Sequence, residues 1–207
     1  MNKRLLGAVA AAIVLLGAAL LLLLVVDREE QPVADTPTAA PSATPSATPS
    51  ATETPRDLVE GPVGVPTRLE IVELGVDAPV APVGTTAENA QEVPSALDET
   101  GWWRDGAVPG AAGNAVIVGH TASADDGVFD PLVDVEAGDE VLVTGSEGTA
   151  AFIVERSETV PVADFGDVAA DVYRADGASG LVLMTCGDWN GSSFESTVIV
   201  HAVPAVR

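Results

Sequence analysis

The run Ala115-Val116-Ile117-Val118-Gly119-His120 is a short apolar stretch, rich in β-branched residues, that drives to a glycine and then to an imidazole. Valine and isoleucine lose side-chain freedom in a helix but suit a pleated surface, so such a run bounded by glycine reads as a strand. Similar runs recur between Gly, Pro, Asp and Asn from about Gly61 onward. They predict strands at residues 68–72, 78–82, 115–118, 140–144, 150–160, 180–185 and 197–203. Only residues 95–99 and 162–172 suggest helical turns. Seven or eight short strands at this spacing predict a mainly β domain, either a closed barrel or a sandwich. Periodicity does not choose between the two.

Upstream of this domain, assigned to residues 61–207, the composition changes twice. Residues 27–60 are rich in Pro, Ala, Thr and Ser, with PSAT repeated at Pro41, Pro45 and Pro49. Proline at that spacing denies helix and sheet their hydrogen bonds, and the segment is expected to be a disordered stalk. Residues 5–26 carry no charge and are mostly Leu, Ala and Val. At about 1.5 Å per residue, a helix of that length crosses a hydrocarbon core of roughly 30 Å. Lys3 and Arg4 precede it and Asp27 follows, so the positive-inside rule puts residues 1–4 in the cytoplasm and the remainder outside. The apolar run is long for a signal peptide and no small-x-small site follows Val26, which favours an uncleaved anchor.

The net charge is −22, from 31 acidic and nine basic residues, and Lys3 is the only lysine. Such a chain repels phosphate backbones, which excludes nucleic acid as a partner class. A single cysteine, Cys186, cannot form an internal disulfide.

Cys186 closes the apolar strand Leu181-Val182-Leu183-Met184-Thr185, as His120 closes its own. Buried cysteine is commonly an inert small hydrophobe, whereas a strand end holds a reactive group on a rigid frame. Brought together, thiol and imidazole stabilise each other's charged form and favour acyl attack. The second histidine, His201, lies mid-strand opposite Val198, Val200 and Ala202, an ordinary setting for a partly exposed strand histidine. Trp102, Trp103 and Trp189 sit in loop-like sequence, either as groove walls or as lids on the core. Asp125, Asp126 and Asp130 lack the alternating pattern of a dedicated calcium loop and read as a solvated loop. Neither a zinc set nor a phosphate-cradling glycine loop is present in the sequence, so no cofactor is expected.

The segments VIVGHT (residues 116–121) and LVLMTC (181–186) resemble the histidine and cysteine motifs of sortases. Further stretches are similar to the class E/F group of actinobacterial sortases: PTRLEIVELGVDAPV (66–80), EVPSALDETGWWRDGAVPGAAGNAVIVGH (92–120) and F-x-x-L-x-x-x-x-x-GDEV (129–141). Histidine precedes cysteine and one strand follows, as in that family. The resemblance implies an eight-stranded sortase barrel with short helices. It implies Cys186 as nucleophile on an LPxTG-like sorting signal of secreted proteins, and His120 as proton partner. The implied acceptor is a cell-wall precursor or protein amine. One departure stands out. Where the family places an arginine after the cysteine, Glu195 aligns here, and a carboxylate opposes an oxyanion. Arg104, Arg174, Asn190 or a backbone N–H of residues 187–191 are the candidate replacements. An inactive sortase-like binding module is the alternative. Papain-like order (cysteine first) and the S-x-G-C-x-R motif of L,D-transpeptidases are both absent.

Overall fold

The computed structural model describes residues 58–87, 90–124 and 126–206. The predicted anchor and most of the stalk lie outside the described residues. Among the described residues, no helix is long and apolar enough to cross a membrane.

Eight strands close into a barrel: β1 Pro66–Ile71, β2 Val76–Val83, β3 Thr100–Trp103, β4 Gly113–Gly119, β5 Glu140–Gly145, β6 Gly148–Pro161, β7 Ser179–Trp189 and β8 Phe194–Pro204. Their order around the barrel is β1-β2-β3-β4-β7-β8-β6-β5. The pairs β2–β3 and β4–β7 are parallel and the rest antiparallel. Closure leaves no edge strand, which settles barrel over sandwich.

Strand β2 shows the simple alternation: Val76, Ala78 and Val80 are buried while Asp77 and Pro79 are exposed. The turn into it is made at Gly75, whose φ of 68° favours glycine. Strands β4 and β7 behave differently, because both of their faces are covered. Ala115, Ile117, Leu181 and Leu183 point into the barrel, whereas Val116, Val118, Val182 and Met184 belong to a second apolar cluster outside it. That outer cluster is capped by Phe165, Val168 and Val172 of the helix α1, Phe165–Val172. Burial on two faces explains why these strands read as unbroken apolar runs rather than alternating ones.

Three expectations are corrected. Residues 95–99 form bends and a turn, not helix. The segment is one turn long, and the Leu97 carbonyl accepts the Val128 N–H at 2.8 Å instead of closing a helical bond. Thr100–Trp103, read as loop, is the strand β3. Gly101, which weakened the strand signal, is required there, since a Cβ would lie 2.8 Å from the side chains of Pro94 and Val83. Trp102 is therefore a core residue, its indole N–H donating to the Ala107 carbonyl at 2.9 Å. Finally, β7 runs on to Trp189, so Cys186 sits within a strand rather than after one. Ahead of β1, Leu58 bridges to Thr149, and the Val59 N–H donates to the Thr149 carbonyl at 2.9 Å.

Candidate active site

The parallel register of β4 and β7 builds the site. Val116 pairs with Val182 and Val118 with Met184. Two residues further along each strand direction come His120 and Cys186. With a side-chain period of two, both leave the sheet on the outer face, above Val118 and Met184. There they line one groove of about 370 Å³ with Val93, Val162, Phe165 and Tyr173. Cys186 is exposed and His120 half-buried. Among the described residues no hydrogen bond joins them.

Each group has its own support. The His120 ring places Nε2 2.6 Å from the Pro94 carbonyl oxygen. A carbonyl only accepts, so Nε2 carries the proton and Nδ1 is the nitrogen left to gain or lose one. Beneath Cys186, the buried Thr185 hydroxyl donates to the Gly119 carbonyl at 2.9 Å. Its proton is thereby spent, and the Thr121 hydroxyl donates to Thr185 Oγ1 at 2.6 Å. These bonds tie the end of β4 to β7 just beyond their last paired residues, Val118 and Met184. The apolar walls push the Cys186 thiol above its ordinary range, because burial disfavours the thiolate.

The register of β8 fixes which residue faces Cys186 across the sheet. Thr197, not Glu195, lies directly across from Cys186, and it lines the same groove. Glu195 is exposed and accepts a hydrogen bond from Asn190 Nδ2 at 2.8 Å. Asn190 is committed to the β7–β8 hairpin, its Oδ1 accepting the N–H groups of Ser192 and Ser193. Arg174 donates to Asn114 Oδ1 at 2.7 Å, at the far end of β4 from His120. Arg104 lies past the end of β3, with its N–H on the Val83 carbonyl. Among the described residues no arginine lines the groove.

The remaining candidates fall elsewhere. His201 is on β8, its Nε2 donating to Glu158 at 3.1 Å, and its pKa is held down by burial and by the Arg156 guanidinium. Trp103 packs edge-on against Tyr173 with centroids 5.0 Å apart. Asp130 pins its own loop, accepting the N–H groups of Ala122 and Gly127 at 2.8 Å each. Asp126 is exposed, and Asp125 lies outside the described residues. No cluster of three metal-ligating side chains occurs among the described residues.

A family model for the sortase domain matches residues 69–205. The chain belongs to the sortase family. Sortases are cysteine transpeptidases. Solved structures of similar fold include the sortase D5 transpeptidase of Clostridium perfringens, at 20% identity and a TM-score of 0.53, covering 69% of this chain and 79% of that one. Sortase A of Listeria monocytogenes aligns at 19% identity and 0.53, covering 70% and 88%. Sortase C-1 of Actinomyces oris aligns at 17% and 0.54, covering 68% and 74%. At these identities the likeness is one of fold. Among curated proteins none matches this sortase.

The pairing of Thr185 with Gly119 and Thr121, the Pro94 tether and the placement of Thr197 were not foreseen from sequence. Thr185 alone left a signal, as a polar residue on the inward face of an apolar strand.

Proposed function

We propose that the protein is a membrane-anchored, extracellular cysteine transpeptidase of the class E/F type. In this reading it cleaves an LPxTG-like sorting signal and transfers the released protein to an amine. The observation that carries the reading is the parallel β4–β7 register, which delivers His120 and Cys186 to the same face of the same groove.

The Cys186 thiolate attacks the scissile carbonyl, and the amide nitrogen leaves with a proton from Nδ1 of protonated His120. A thioacyl-enzyme remains. The incoming amine then gives its proton back to His120 as it attacks. In place of the absent arginine, the Thr197 hydroxyl donates to the oxyanion. Thr197 sits directly opposite Cys186, and its hydroxyl has no hydrogen-bond partner among the described residues. The apolar walls of the groove suit the leucine and proline of the signal, and the stalk and anchor hold the barrel where secreted substrates emerge.

The rival reading, a binding module that does no chemistry, draws on the raised thiol and on the lack of an arginine or lysine in the groove among the described residues. Incubating the full chain with an LPxTG-type peptide and a small amine separates the two. A covalent adduct at Cys186, absent in Cys186→Ala, supports the transpeptidase. Peptide binding with no adduct leaves the binding module.

A further inference from the structure

The groove that holds His120 and Cys186 continues into a second cavity of about 590 Å³, farther from the sulfur. Gln91, Phe165 and Tyr173 line both, and Trp103 and Thr85 help to close the second. Its rings stand edge to face. Tyr173 lies 5.0 Å from Trp103 and 6.4 Å from Phe165, at interplanar angles of 73° and 76°. Its polar side chains are almost all engaged. The Trp103 indole N–H donates to Thr85 Oγ1 at 2.9 Å, and the Tyr173 hydroxyl donates to Gln91 Oε1 at 3.0 Å. Gln91 Nε2 is the exception: it is buried and has no hydrogen-bond partner among the described residues. A buried amide donor left unpaired is costly, so a ligand that brings a carbonyl recovers that cost.

We propose that this cavity is a subsite for a proline placed immediately before the leucine of the sorting signal, outside the LPxTG-like motif itself. The proposal rests on the reading of the first groove as the seat of the acyl chain. Distance sets the position. Trp102 pairs with Ile117, which puts Trp103 level with Val116, four residues along the chain from His120. At about 3.3 Å per residue, the cavity lies roughly 13 Å from the imidazole. An extended peptide covers that span in about four residues. Counted back from the threonine of the signal, the fourth residue is the one that precedes leucine.

Chemistry selects the residue. The free donor asks for a carbonyl, whereas the side-chain acceptors Thr85 Oγ1 and Gln91 Oε1 are already taken. A residue with a backbone N–H would leave that donor unpaired against the rings, and proline has none. Its ring packs on aromatic faces, and its fixed φ holds an extended chain at low entropic cost, the combination by which aromatic grooves take proline-rich peptides. No charged side chain lines the cavity, so a charged residue gains no partner there. Nε2 is itself covered, and the proline carbonyl reaches it after a small rotation of the amide.

The test uses the full chain and LPxTG-type donor peptides that differ only in the residue before leucine: proline, alanine, phenylalanine or lysine. In the native protein, kcat/KM for acyl transfer is expected to favour proline over alanine by about tenfold. Gln91→Met keeps the bulk and removes the donor, and Trp103→Leu removes one aromatic wall. Each is expected to bring the proline-to-alanine ratio down to about threefold or less. The two peptides share every other contact, so damage to folding or to the chemistry lowers both rates and leaves the ratio where it was. A Cys186 adduct that forms equally well from the proline and alanine peptides overturns the subsite alone. A preference for phenylalanine or lysine over proline does the same, as does a ratio unchanged in both variants. Failure of the native chain to form a Cys186 adduct with any of the peptides overturns the transpeptidase reading and the subsite with it.

Discussion

The imidazole of His120 is held by the carbonyl of Pro94, 2.6 Å from Nε2, and not by the thiol it faces across the groove. The tether spends one ring nitrogen and orients the other. It also couples the imidazole to the β2–β3 connection, so that loop sets the reach of the ring. Nitrogen-15 NMR of the neutral ring is expected to show the proton on Nε2. A predominant Nδ1–H form would mean that the bond to Pro94 does not persist in solution.

Gly101 links packing to that tether. Its missing side chain leaves room for the Pro94 ring, which would meet a Cβ at 2.8 Å. Gly101→Ala is expected to destabilise the barrel by about 1–3 kcal/mol, the usual penalty for overpacking. It is also expected to cut acylation by more than the loss of folded protein explains, because Pro94 carries the His120 acceptor. Denaturant melts and burst amplitudes on the same preparations separate the two effects.

Burial by the groove walls raises the Cys186 thiol above its ordinary range. Alkylation of the native protein is therefore expected to climb with pH through a midpoint above that of an ordinary cysteine thiol. At neutral pH only a small fraction is thiolate. An alkylation midpoint below that of a free cysteine peptide would show that an opposite charge dominates the site instead.

Thr197 stands opposite Cys186 with its hydroxyl uncommitted. Thr197→Val keeps the shape and removes the donor, and kcat is expected to fall by about tenfold or more, with KM little changed. Thr197→Ser restores most of the rate. Equal rates for valine and threonine would assign the oxyanion to backbone N–H groups.

On the outer face, Arg156 donates to Asp171 at 2.8 Å, and His201 donates to Glu158, so charged groups fasten α1 over β6 and β8. Burial lowers the His201 pKa from 6.5 in the folded state. The unfolded chain then binds the proton more readily, so stability falls as pH drops below about 6.5. Asp171, lowered by its hydrogen bond from Arg156, adds a loss of the same sign at more acidic pH. His201→Gln is expected to flatten the melting-temperature curve just below pH 6.5 and to leave the acidic limb intact.

Much of this molecule is written locally. Seven strands, the α1 turn and the two motif ends at His120 and Cys186 follow from β-branched runs and their punctuation, because strand preference and the glycine stops act over a few residues. Strand β3 was hidden because Thr-Gly-Trp-Trp has weak local preference. Its strand state comes from partners on both sides, and its glycine is demanded by Pro94 and Val83.

The site divides in the same way. The candidate pair was legible, since a lone thiol and an imidazole that each follow an apolar run are rare features of composition. Their meeting was not, because a parallel pair is joined by a long connection and its register is chosen by side-chain packing on both faces. That packing set Thr197 opposite Cys186 and placed Arg104 and Arg174 away from the groove.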